Sequence, residues 1–194
     1  METSELSIES ANETLKETVE NELKTWETDD LHHLRSSINF INKAHTYSTL
    51  VDCIDAGQSF YDADRLDMQR TLSMAKAKSE FFDIPLDEFM ETLDQELKDR
   101  RLKSYLKDTH TDALEKIERI FKEAHRYIQS PTLKTATEAA HPGLGTMLAE
   151  KMYYIATHNG AELADVPLPR FLKIIRKVID EQNEARTVDN GEGI

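Results

Sequence analysis

Seven histidines are the residues best suited to bind a metal or move a proton near neutral pH: His32, His33, His45, His110, His125, His141 and His158. Two of them recur in one context. Ala44-His45-Thr46-Tyr47 is matched by Ala124-His125-Arg126-Tyr127, and each histidine falls on or beside the apolar stripe of its segment. Paired about a pseudo-twofold axis, His45, Tyr47, His125 and Tyr127 would form a site for a metal or an anion, or a pH sensor. Buried polar groups usually find hydrogen-bond partners. The plainer account, two part-buried histidines beside their tyrosines as polar core residues, is therefore preferred. Glu138-Ala-Ala-His141 has the Glu-x-x-His spacing of di-iron bundles, which need two such pairs on different helices. Asp29-x-x-His32 is a poor second pair, and Pro142 puts His141 at a helix end. Glu88/Glu91 and Glu96/Asp99 place carboxylates on adjacent turns of a single helix, which reads as a solvated charged face. There is no His-Glu-x-x-His, no phosphate-cradling glycine loop and no Gly-x-Ser-x-Gly elbow. No catalytic residue, metal-ligand set or cofactor is assigned.

Two basic stretches are candidates for contacting a partner or phosphates. Arg100, Arg101, Lys103 and Lys107 follow one helix started by proline, and Arg170, Lys173, Arg176 and Lys177 lie on another. A helix-turn-helix over residues 75–89 would put Ser79 where a turn glycine is usual and Pro85 inside the recognition helix. Basic residues towards helix C-termini are favoured by the macrodipole in any protein. Nucleic-acid binding is thus the second reading.

The elements that must position these groups are helices. Gly (6) and Pro (5) are scarce, which disfavours the many turns of a sheet protein. Apolar residues recur at three- and four-residue steps: Ile8, Ala11, Leu15, Val19, Leu23, Trp26 in the first segment, and Leu31, Leu34, Ile38, Ile41 in the second. A third segment around Leu50–Ile54 stops near Gly57, and a fourth covers about 62–82. A fifth starts at Pro85, with Leu86, Phe89, Leu93 and Leu97 on one face. Leu114, Ile117 and Phe121 mark the next. A short helix over 133–140 precedes a turn at His141-Pro142-Gly143-Leu144-Gly145. Helices over about 146–158 and from Pro167 follow, with Leu168, Phe171 and Ile175 as core candidates.

Glu80–Phe89 resembles Glu162–Phe171 at an offset of 82, and the histidine-tyrosine pair recurs at an offset of 80. Similar offsets in one order point to two copies of a unit of about 80 residues. The expected fold is all-α, a compact helical bundle of about seven to eight helices. The repeat would arrange it as two similar three-helix halves. The expected organisation is an acidic amphipathic N-terminal helix (1–28), repeat 1 (29–107), repeat 2 (108–186) and a disordered tail (187–194).

Residues 1–99 carry 9 basic and 23 acidic side chains, whereas residues 100–186 carry 15 and 12. The acidic front half repels phosphate backbones and attracts basic partners. The first helix, so crowded with carboxylates, is expected to dock loosely or onto a basic surface such as Lys173, Arg176 and Lys177. A lone cysteine, Cys53, and an acidic N-terminus without an apolar run suggest a reducing, cytoplasmic setting; no apolar segment is long enough for a membrane. The leading expectation is a non-enzymatic interaction, adaptor or regulatory protein acting through helical surfaces and charge polarity, with protein partners or self-association. Nucleic-acid association through the basic C-terminal helices is second. A metal or cofactor binder around the paired histidines is third.

Overall fold

The computed structural model describes the backbone of residues 2–43, 46–60, 66–129, 131–157 and 161–191, and their side chains except at 2–12, 59, 60, 141, 161, 162 and 188–191. Among these residues the chain is all-helical, without named strands. The elements are α1 (Glu2–Leu23), α2 (Thr28–Asn42), α3 (Leu50–Phe60), α4 (Leu66–Lys76), a 3-10 turn (Ser79–Phe81), α5 (Leu86–Lys107), α6 (Thr111–His125), α7 (Leu133–Leu144), α8 (Thr146–Thr157), α9 (Ala161–Ala164) and α10 (Leu168–Gly191). They form two compact units, residues 1–97 and 98–194. The division falls inside α5, ahead of the 107/108 boundary expected from the repeat.

Unit 1 is closed by two backbone hydrogen bonds between helix starts. The Leu50 N–H donates to the Ile84 carbonyl at 3.3 Å, and the Leu86 N–H donates to the Ser48 carbonyl at 3.1 Å. They flank an isolated antiparallel bridge between Thr49 and Pro85. Neither bridged residue supplies an N–H to it, which is why proline is tolerated there. Each then opens a helix. The Thr49 hydroxyl accepts from the Asp52 N–H, and the Pro85 carbonyl accepts from the Phe89 N–H. Thus α2–α3 and α4–α5 are two helix–loop–helix arms joined at their loops.

Unit 2 repeats the construction. Thr132 and Pro167 form the bridge. Leu133 donates to the Val166 carbonyl at 2.8 Å, and Leu168 to the Pro131 carbonyl at 2.9 Å. Thr132 and Thr135 make a capping box at the start of α7. The arms are α6–α7 and α8–α10. All four joints read Thr or Pro, then Leu, then a buried residue three positions on: Thr49-Leu50/Cys53, Pro85-Leu86/Phe89, Thr132-Leu133/Ala136 and Pro167-Leu168/Phe171.

Each unit has its own core. In unit 1, Trp26 and Phe89 both pack on Phe81, with ring centroids 6.2 and 5.2 Å away. In unit 2, Phe121 and Phe171 meet at 5.5 Å. Leu86, Phe89, Leu93, Leu168, Phe171 and Ile175 are all buried, as their spacing predicts. Each such Leu, Ile or Phe contributes roughly 1.5–3 kcal/mol when fully buried.

Four expectations are corrected. Of the segment expected over 62–82, residues 62–65 lie outside the described residues, and the rest is not one helix but α4 and a 3-10 turn that buries Phe81, while Leu66 is 71% exposed. The turn expected at 141–145 is the last part of α7, which carries Pro142 inside it and ends at Gly145, φ 78°. Pro142 and Glu138, the residue four positions before it whose carbonyl a proline leaves without an intrahelical donor, are both exposed. The tail expected from 187 is helical to Gly191, and residues 192–194 lie outside the described residues. Gln182 also ties α10 down: its Nε2 donates to the carbonyls of Lys107 and Thr109, and its Oε1 accepts from Thr111 Oγ1. Lastly, α1 is no loose arm at its C-terminal end. Val19, Leu23 and, in the turn that follows, Trp26 are buried in the unit 1 core, and Glu22 bridges to Lys78 at 2.6 Å. A side chain such as Trp26 buries enough apolar area to outweigh neighbouring carboxylates.

Candidate functional site

Loops between paired helices invite a calcium test. A calcium loop of helix–loop–helix type takes oxygen ligands at positions 1, 3, 5, 7, 9 and 12, with glycine at 6. Taking the third residue of the second helix as the twelfth, the loop before α5 offers Ala77, Ser79, Phe81, Asp83, Pro85 and Glu88, with Phe82 in the glycine place. By the same count the loop before α10 offers Ala161, Leu163, Asp165, Pro167 and Arg170, with Ala164 in the glycine place and the first position outside the described residues. Phe81 and Leu163, both in the fifth place, are buried in their cores. These residues do not suit a calcium ion; apolar plugs anchor both loops.

The residues expected in the paired-histidine site are each taken in their own unit. His45 lies outside the described residues. Tyr47 is half-buried against the unit 1 core, and its backbone N–H donates to Asn42 Oδ1. His125 is exposed and Tyr127 is 87% exposed, so neither is a core residue. The physical reason is position: α6 ends at His125, one turn beyond its last buried residue, Phe121. Glu138 is exposed as well. Among the described residues no group of three or more His, Cys, Asp or Glu is placed to hold a metal.

The basic stretches are drawn into unit 2 itself. Arg170 grips Asp99 with both Nε and Nη2 at 2.9 Å. Arg176 grips Glu118 the same way, at 3.0 and 2.5 Å. Lys103 bridges to Glu181 at 2.7 Å. Two-pronged arginine–carboxylate pairs are strong and fix geometry, and these hold α10 to α5 and α6. Arg100 is half-exposed; Arg101, Lys107, Lys173 and Lys177 are exposed.

Comparison with known proteins identifies no relative: no protein-family model, curated protein or solved structure matches the chain. The surface of unit 2 carries a cationic feature that lies mostly outside the two basic stretches. Arg119 and Lys122 of α6 and Arg126, which caps its C-terminus, line with Arg176 of α10 an open groove of about 330 Å³ around Glu118 and Glu123. The Glu118 side chain is only 7% exposed; it also accepts from Lys122 at 2.8 Å. The signal was available in the three- and four-residue steps 119, 122, 126, which set three cations on one helical face.

The opposite charge gathers in unit 1, which holds 22 acidic and 8 basic residues against 15 and 16 in unit 2. On α1 the buried face is Val19 and Leu23, with Leu15 half-buried. Glu13 and Glu17 are exposed and Glu20 is half-exposed; at steps of four and three they form a stripe on the other side. Glu22 stands apart. The Lys78 ammonium bonded to it, together with donors from Trp26 and Thr25, outweighs partial burial and holds its carboxyl below the ordinary 4.5.

Proposed function

We propose that this chain is a non-enzymatic interaction protein, of adaptor or regulatory type, that recruits a basic protein partner to helical surfaces of unit 1. The carrying observation is the partition of charge: a net −14 on unit 1 beside a nearly neutral unit 2. Long-range attraction of a basic partner follows from such a field. The stripe Glu13, Glu17, Glu20 gives that field a helical face on which to seat a partner. The apolar loop plugs fit a module that keeps its shape without a cation. A reducing, cytoplasmic setting belongs to this reading because the one thiol, Cys53, is buried and free. Nucleic-acid binding is less well supported, since Lys103, Arg170 and Arg176 are spent on Glu181, Asp99 and Glu118.

The test uses the full chain as bait in lysate of its native cell, beside a Glu13→Gln/Glu17→Gln/Glu20→Gln variant. Basic proteins held at moderate salt, released at high salt and lost from the variant support the reading. Retention that nuclease abolishes, or a set of proteins identical on both baits, overturns it.

A further inference from the structure

The acidic stripe of α1 and the cationic stripe of α6 share one spacing. Glu13, Glu17 and Glu20 are separated by four and three residues; Arg126, Lys122 and Arg119, read in reverse, are separated by the same four and three. At 1.5 Å rise per residue both stripes span about 10 Å. Antiparallel alignment therefore brings Glu13 opposite Arg126, Glu17 opposite Lys122 and Glu20 opposite Arg119. Each stripe lies away from its helix's buried residues, Val19 and Leu23 on α1, Leu114, Ile117 and Phe121 on α6. Arg119 and Arg126 are exposed and line the groove. Arg176, clamped onto Glu118, fixes one wall of it.

We infer that the groove lined by Arg119, Lys122, Arg126 and Arg176, with Glu118 and Glu123 among them, seats α1 of a second copy of this chain, antiparallel to α6. Charge complementarity in matched register, carried chiefly by Arg119 and Arg126 because Lys122 and Arg176 already pair with Glu118, selects this occupant. The helix dipoles, opposed in an antiparallel pair, add to it. Two molecules, each seating the exposed stripe of the other's α1, form a symmetric pair. The two copies share a net charge of −13 each, which opposes association at long range. Moderate salt, with a screening length near 10 Å, mutes that repulsion more than it weakens ion pairs in contact. Association is then strongest at moderate salt and fades towards 1 M. This inference rests on reading the chain as an interaction protein and names one of its partners. Sedimentation of the pure protein tests it apart from the capture of other proteins.

Three full-length proteins are compared by sedimentation at 0.1 M and 1 M salt over a range of concentrations: wild type, Arg119→Glu/Arg126→Glu, and Glu13→Arg/Glu20→Arg. All changed positions are exposed or half-exposed, and helical circular dichroism checks each fold; should a reversal misfold, Arg119→Gln/Arg126→Gln replaces it. The wild type should move from monomer to dimer with concentration at 0.1 M salt. Each reversal should weaken this about tenfold or more, and mixing the two variants should restore it. A wild type that stays monomeric, a dimer indifferent to either reversal, or a mixture that fails to recover overturns the inference.

Discussion

Phe171→Ala tests the two-core construction. Phe171 is fully buried, and its ring stands 5.5 Å from Phe121 at 44°. Truncating a buried phenylalanine costs about 3–5 kcal/mol, partly as transfer energy and partly as cavity. Loss of the ring pair accounts for roughly 0.5–1.5 kcal/mol of that. A domain of about 100 residues loses roughly 4–8 °C per kcal/mol, so the unit 2 transition should fall by about 12 °C or more. Unit 1 has a separate core, and it contains the only tryptophan, Trp26. Thermal unfolding followed by far-ultraviolet circular dichroism should show the drop, while the midpoint seen by Trp26 fluorescence stays put. Phe89→Ala, at the matching joint of unit 1, should reverse the pattern. A Trp26 midpoint that falls in step with Phe171→Ala, or a loss under about 1 kcal/mol, would refute the reasoning.

Arg176→Ala should cost about 1–3 kcal/mol in urea unfolding, because it leaves the buried Glu118 with Lys122 alone; no change would mean that solvent already satisfies Glu118. Gly145→Ala should cost roughly 1–3 kcal/mol, since φ 78° and ψ 159° lie in a region that suits glycine almost alone; an unchanged midpoint would show that the α7–α8 joint relaxes. Burial pushes the Cys53 thiol up to about 11, so a thiol reagent at pH 8 should react only as unit 1 opens; immediate labelling of the native protein contradicts its burial. The Glu22 carboxyl, held below 4.5 by Lys78, stabilises unit 1 above that pH and loses its contribution as pH falls through the folded value. Lys78→Met should accordingly remove part of the acid sensitivity seen below pH 4.5, and identical acid titrations of the two proteins would refute this.

The helical period made most of the fold legible. Leu86, Phe89, Leu93, Leu168, Phe171 and Ile175 sit where their spacing puts them because a long amphipathic helix has one way to face a core. The Pro-Leu-x-x-Phe joints were visible too, but not their partners. Thr49 and Thr132 were hidden because threonine and proline do the same work at a helix start by different means, one with a hydroxyl and one by needing no N–H. Pro142 reads as a stop because it stands near a helix end, yet α7 carries it on an exposed stretch. His125 and Tyr127 misled because an apolar pattern does not reveal where a helix outruns its core. The basic residues of α10 were legible as charges but not as clamps. Asp99 and Glu118, their partners, lie 71 and 58 residues away in sequence. No local pattern carries such pairings.

The proposed interaction role is tested most directly by zero-length carboxylate–lysine cross-linking of the complex captured on the full chain, read residue by residue in a mass spectrometer. The internal Glu22–Lys78 bridge, 2.6 Å in the structure, serves as the positive control. The account predicts cross-links from partner lysines to Glu13, Glu17 and Glu20. Cross-links confined to carboxylates of unit 2, or none beyond the internal control, would contradict it.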